Sequence, residues 1–215
     1  MNSAPSIDLV YPFTGSWLVQ NSPANRVPSH GTHAFATTYA IDLVPVTDAG
    51  RTAPITLGSL VRPESADKFP GFGRPILAPI EGTVLAVHDS QPDHPAYRGF
   101  PSIWYALTQH RRAASGWVGL AGNQVMIEND GIIVALCHLQ QGSIQVTPGQ
   151  QVQIGDVIAG CGNSGNSTEP HLHIQAIDNL DVARANAVPI TFQGRLPANG
   201  EIIQIGPDQP ASLTL

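Results

Sequence analysis

Lysine is almost missing from this chain of 215 residues: Lys68 stands alone, and the other basic residues are arginines, scattered except for the Arg111–Arg112 pair. Ten basic against 16 acidic residues leave a net charge of −6 and an isoelectric point near 5.6. Nucleic-acid binders show a basic patch, so nucleic acid is not an expected partner. No block of like charge marks an interaction tail. Cysteine is limited to Cys137 and Cys161, too few for a disulfide framework, and whether they pair is open. Long apolar runs are absent. Stretches such as 132–137 fall far short of the roughly 18 residues that cross a bilayer, so no membrane span is expected. Residues 1–9 lack the basic and apolar regions of a secretory signal, which points to the cytoplasm. No internal repeat or low-complexity tract is visible.

Glycine and proline are abundant instead, at 21 and 19 residues. Disorder also requires low hydrophobicity or high net charge, whereas 42% of this chain is hydrophobic. The Gly and Pro therefore read as punctuation between short elements. β-branched runs lie between them at 39–44, 75–78, 82–88, 124–128, 132–139, 143–146, 151–154, 157–161 and 171–177, with edge candidates at 189–193 and 201–205. Asp130-Gly131 is a hairpin signal between two of these runs. One helix is expected, over 102–114, inside a segment (90–122) that interrupts the strand rhythm and suits a lid, a binding loop or a plain surface excursion. The expectation is an all-β single domain over 1–215, an open antiparallel sheet or β-sandwich with at most one or two short helices.

Four of the eight histidines stand out by context. In Glu169-Pro170-His171-Leu172-His173-Ile174, strand alternation sends His171 and His173 to one face and Leu172 and Ile174 to the core. Asp42 is a lone carboxylate in the apolar run Ala40-Ile41-Asp42-Leu43-Val44, downstream of Ser29-His30-Gly31-Thr32-His33. A buried carboxylate requires a partner or a metal. His138 lies in Ala135-Leu136-Cys137-His138-Leu139. Each signal alone also fits a plainer account: solvent-facing strand residues, or a hydrogen-bonded core histidine. Together they suit a zinc site, because two His and one Asp leave a fourth position for water, and a further His can move its proton.

Taken in order along the chain, these segments resemble the lysostaphin-type zinc endopeptidases of the M23 family, with a LytM-like domain. Gly73-Arg74-Pro75-Ile76-Leu77-Ala78-Pro79-Ile80-Glu81-Gly82-Thr83-Val84 resembles the family's G-x-P-V-x-A-x-x-x-G-x-V segment. Cys137-His138-Leu139 resembles its Y-x-H-L strand. The stretch 146–159 resembles V-x-x-G-x-x-V-x-x-G-x-x-I-G. Gly162-Asn163-Ser164-Gly165-Asn166-Ser167-Thr168-Glu169-Pro170-His171-Leu172-His173 resembles G-x-T-G-x-S-T-G-P-H-L-H, the most specific of the four. The likeness covers about 29–177.

The resemblance implies one zinc ion per chain held by His30, Asp42 and His173. It implies His171 as general base and His138 as a second catalytic or transition-state-stabilising residue. The family's compact pattern is H-x-x-x-D, but Thr38 stands four residues before Asp42, so the first ligand is His30 or His33, with His30 favoured. Glu169 replaces the family's usual Gly. The implied substrate is a peptidoglycan stem or cross-bridge peptide, cut by a monomer at the cell wall, which conflicts with the missing signal. Two other readings compete: a non-catalytic zinc-binding or regulatory module of the same fold, and a phosphocarrier-type β-sandwich. The pairs His88-Asp89 and Asp93-His94 form a rival metal-like cluster in a Pro-flanked loop, and Arg111–Arg112 reads as a solvated face.

Overall fold

A computed structural model describes residues 6–54, 56–108, 112, 114 and 116–207. Thirteen strands run along them: β1 (Ile7–Leu9), β2 (Gly15–Gln20), β3 (Ile41–Pro45), β4 (Pro75–Leu77), β5 (Gly82–His88), β6 (Asn123–Asn129), β7 (Ile132–Leu139), β8 (Gln151–Val152), β9 (Val157–Gly160), β10 (Leu172–Ile177), β11 (Ala187–Val188), β12 (Ile190–Phe192) and β13 (Ile202–Ile205). The helices are short: α1 (Leu57–Val61), α2 (Phe100–Leu107) and α3 (Gly116–Ala121). The fold is all-β, as the turn-rich sequence implies. Asp130 and Gly131, with φ of 50° and 80°, close the β6–β7 hairpin in the left-handed conformation that such turns require.

Nine strands form one open sheet in the order β13-β2-β3-β10-β7-β6-β5-β8, with β11 pairing to β10 at its far end, and every pairing is antiparallel. β4 and β9 make a separate antiparallel ribbon over one face of this sheet, and a parallel β1–β12 pair closes one side. The face under the ribbon is the main core. Ile41 and Leu43 of β3, Leu172 and Ile174 of β10, and Val134 and Leu136 of β7 meet Ile76 and Ile158 there, all fully buried. Burying each such side chain is worth about 1.5–3 kcal/mol. Strand alternation then obliges Asp42, His173 and Gln175 to face the other side of the sheet.

Two differences from the sequence reading have local causes. The run at 39–44 becomes a strand only at Ile41, because Ala34–Tyr39 forms 3-10 turns with positive φ at Phe35 and Ala36. Residues 143–146 are not a strand; they meet β9 through two bonds, from the Gln145 N–H to the Ile158 carbonyl and from the Gly160 N–H to Ser143 Oγ. Helix appears at α2 and α3, and of the expected helix at 102–114, residues 109–111 and 113 lie outside the described residues. Strands β2 and β13, beyond the 29–177 stretch, complete the sheet beside β3. Cys137 and Cys161 are both buried and unpaired with each other.

Candidate metal centre

Asp42 and His173 are direct partners in the β3–β10 ladder, and His173 is also opposite Cys137 in the β10–β7 ladder. Opposite residues of antiparallel strands project to the same side, so the register alone brings the carboxylate and the imidazole together. His173 Nδ1 lies 3.0 Å from Asp42 Oδ1. His30 arrives from the loop between β2 and the 3-10 turns, with its Nε2 3.2 Å from both Asp42 oxygens. One potential ligand atom from each of His30, Asp42 and His173 lies within 4.8 Å of the others, the one such cluster among the described residues. His33 is exposed and elsewhere, its Nδ1 3.0 Å from Thr38 Oγ1.

The surroundings decide which nitrogen each imidazole presents. Ser29 Oγ donates to the Thr37 carbonyl and so accepts from His30 Nδ1, 3.0 Å away. The Gln175 amide donates through Nε2 to the Phe35 carbonyl and so turns Oε1 toward His173 Nε2, at 3.0 Å. With both remote nitrogens carrying hydrogen, a neutral His30 and a neutral His173 turn the lone pairs of Nε2 and Nδ1 toward the space they share with the Asp42 oxygens; in the metal-free protein the same two nitrogens are the ones that hydrogen-bond to Asp42. Three lone-pair donors facing one another repel unless a cation lies among them, and outer hydrogen bonds of this kind are how proteins orient metal-binding histidines. The donor set, two imidazoles and one carboxylate with nothing else ligating, fits zinc with one position open. Asn21 Nδ2 donates to Asp42 Oδ2 at 2.7 Å and fixes the carboxylate from its other side.

Electrostatics follow from the same contacts. Burial opposes ionisation of Asp42, but the neighbouring imidazoles His30 and His171 and hydrogen bonds from His173 and His30 hold its carboxyl well below the usual range. His30 is pulled down by burial, yet Asp42 more than offsets this and leaves it raised. His138 is pushed well below the ordinary histidine value, chiefly by burial, then by His171 and His173.

His171 and His138 complete the constellation. His171 precedes β10; its Nδ1 donates to the Glu169 carbonyl at 2.8 Å, beside Ser167 Oγ at 3.0 Å, and its Nε2 comes to 3.7 Å from Asp42 Oδ1. His138 is brought in differently. Alternation along β7 would turn it into the main core behind Leu136. Between Leu136↔Val125 and Leu139↔Asn123, however, β7 holds two residues against one in β6. At this bulge His138 adopts φ of 61°, which swings its ring to the site face. Its Nδ1 donates to the Ser164 carbonyl at 2.9 Å, and its ring centre lies 4.7 Å from that of His171. His30, Asp42, His138, His171 and His173 share one cleft of about 630 Å³, with a wall from Phe35, Trp117, Leu120 and Ala121.

The segment 90–122 braces this site. Asp93 accepts from the backbone N–H groups of Asn163 and Gln141, and the Asn163 amide donates to the His94 carbonyl. The His94 ring lies between the carbonyls of Pro95 and Gly165, and Asp89 caps Gly142. The rival cluster thus holds loops in place. Arg112 is no solvated face: it stacks 3.6 Å over the Tyr105 ring and donates to Asn166 Oδ1, while Arg111 and His110 lie outside the described residues. Asn21, Ser29 and Gln175 were missed in the sequence. Gln175 carried a signal, as a polar residue in phase with His171 and His173.

Residues 105–185 match the family described as Peptidase family M23. His30 and Asp42 lie outside that match. A stretch of 77 residues, 34% of this chain, is 34% identical to glycyl-glycine endopeptidase ALE-1 of Staphylococcus capitis, and 36% identical to lysostaphin of Staphylococcus staphylolyticus. It spans only 21% and 16% of those relatives. Among solved structures, the lysostaphin catalytic domain of Staphylococcus simulans is 21% identical with a TM-score of 0.36, over 63% of this chain and 84% of that one. A protein of Ruminococcus gnavus described as a glycyl-glycine endopeptidase lytM has a TM-score of 0.45 at 15% identity, over 85% of this chain and 57% of that one. Residues 105–185 therefore match the M23 peptidase family, and a stretch of 77 residues is similar in sequence to lysostaphin-type enzymes.

Proposed function

We propose that the protein is a zinc-dependent endopeptidase acting on peptidoglycan peptides, with His30, Asp42 and His173 as the metal ligands. The observation that carries this is the convergence of those three donors within 4.8 Å, with two further imidazoles beside them in one cleft. A zinc ion there supplies Lewis acidity toward a peptide carbonyl and lowers the pKa of a water. Everything else is the work of the chain.

His171 and His138 both have Nδ1 committed to a backbone carbonyl, so both turn Nε2 to the cleft as an acceptor. His171 takes the proton of the attacking water and returns it to the leaving amine. His138, neutral at rest, can stabilise a developing oxyanion only after it has gained a proton, and until then it too accepts. The left-handed backbone at His138 is the kind of strain that persists where surrounding structure enforces a catalytic position. Phe35 and Trp117 give the peptide an apolar wall. Segment 90–122 contributes that wall through α3, and a lid role for it belongs to the same reading.

The test is digestion of purified cell wall by the zinc-loaded protein, with release of new amino termini. Hydrolysis that disappears on chelation and returns with zinc supports the proposal. Retained zinc with no turnover on any wall peptide would favour the non-catalytic module instead. No observation favours a phosphocarrier: Lys68 lies in a 3-10 turn outside any hairpin tip.

A further inference from the structure

Arg26 is the one arginine or lysine among the described residues that line the catalytic cleft. The side chain is exposed and its guanidinium is held at one end. Nε donates to the carbonyl of Ser29, the residue before His30, at 2.9 Å. Neither terminal nitrogen has a hydrogen-bond or ion-pair partner among the described residues, and Nη2 lies 3.8 Å from where a Cβ on Gly31 would stand. A long cationic side chain in a protein of net charge −6 usually finds a carboxylate, and this one is anchored by its inner nitrogen with its outer pair free. Asp42, the cleft's carboxylate, is already occupied by Asn21, His30 and His173.

We propose that Arg26 is a specificity-determining residue that binds a carboxylate of the substrate, so that the enzyme selects acidic peptides whose free carboxylate lies within a residue or two of the scissile bond. The two free nitrogens of an anchored guanidinium form the fork that a carboxylate fills through two parallel bonds. This rests on the peptidase reading and narrows it. A run of glycines offers no carboxylate except at its end, so an acidic stem-type peptide is preferred over the interior of a glycine bridge.

The test uses the full chain loaded with zinc and two peptides that differ only in a free carboxylate against a carboxamide beside the scissile bond. The expected kcat/KM ratio is about three- to fivefold in favour of the acid, carried mainly by KM, as for an ion pair at an exposed site. It shrinks as salt rises. In Arg26→Gln the ratio falls to near one, and Arg26→Lys keeps part of it. A wild-type ratio near one, or a ratio that survives Arg26→Gln, overturns the proposal while the peptidase reading stands. If neither peptide nor cell wall is hydrolysed, the peptidase reading fails, and calorimetric binding of the same two peptides judges Arg26 alone. Tighter binding of the acid that is lost in Arg26→Gln then supports carboxylate recognition, and equal binding overturns it.

Discussion

His173 stands opposite Asp42 in the β3–β10 ladder, with its Nδ1 3.0 Å from the Asp42 carboxylate. Two of the three proposed ligands are therefore placed by backbone pairing between strands 131 residues apart in sequence. The third, His30, comes from a loop. Asp42→Asn and His173→Ala should each abolish stoichiometric zinc binding, and His30→Ala should weaken it severely. His33→Ala should bind zinc like the wild type. Metal content after dialysis, read by atomic emission, checks all four. Full zinc in His30→Ala with loss in His33→Ala would reverse the ligand assignment.

His171 is expected to handle a proton rather than hold metal. His171→Ala should keep its zinc and lose about 10²–10⁴ of its hydrolytic rate. Paired measurement of metal content and turnover separates this from a ligand defect. Loss of zinc in the variant would move His171 into the metal-binding set.

Gln175 touches His173 and not the cleft's contents. Gln175→Leu removes the acceptor that holds the His173 tautomer, and outer partners of this kind change metal affinity by about 10–100-fold. Competition with a chromophoric chelator measures that change. An unaltered affinity would mean that the ladder alone orients the ring.

Protons should compete with zinc at this site. Asp42 raises the His30 pKa above its ordinary 6.5, so in the metal-free protein His30 is still protonated at a pH where a free imidazole would be mostly neutral. Binding must expel that proton, and affinity falls as pH drops through the raised value. The metal-free fold has its own dependence. Asp42 titrates below its unfolded value, so its contribution to stability is complete above that value and is lost as pH falls through the folded one. For His30, raised, the contribution is present below the unfolded value and lost as pH rises through the folded one. Isothermal titration in buffers of different ionisation enthalpy counts the protons released on zinc binding, and none released near neutral pH would contradict the His30 shift.

Asp93 offers a test of the bracing segment. Its two oxygens accept from the backbone N–H groups of Asn163, next to Ser164, and of Gln141, just beyond the end of β7 that carries His138. Asp93→Ala leaves both donors without this acceptor, at a cost of about 1–3 kcal/mol for a partly buried group. A lower melting temperature is the readout, and zinc content should hold because Asp93 is not among the ligands. A melting temperature equal to the wild type would show that water replaces the carboxylate without loss.

The β-rich class, the His-Leu-His strand and the isolated Asp42 were legible in the linear sequence because they are local patterns. Alternation with period two tells which side of a strand faces a core, and a polar residue in an apolar run marks itself. Nothing local told His30 from His33. Both sit in the same short stretch, and only the path of the chain through Ser29 and the 3-10 turns brings one imidazole to Asp42 and leaves the other in solvent. His138 was harder still, because alternation points it to the wrong face. Its true direction comes from an unequal residue count between β6 and β7, which exists only once two strands have paired. The same holds for Asn21, which reaches Asp42 across 21 residues, and for the Gln175 amide, which is turned by the Phe35 carbonyl 140 residues away. Composition and spacing specified what kinds of groups this chain could bring to a metal. The strand register, one bulge and one loop settled which of them meet, because hydrogen-bonded pairing is a property of two segments and cannot be read from either alone.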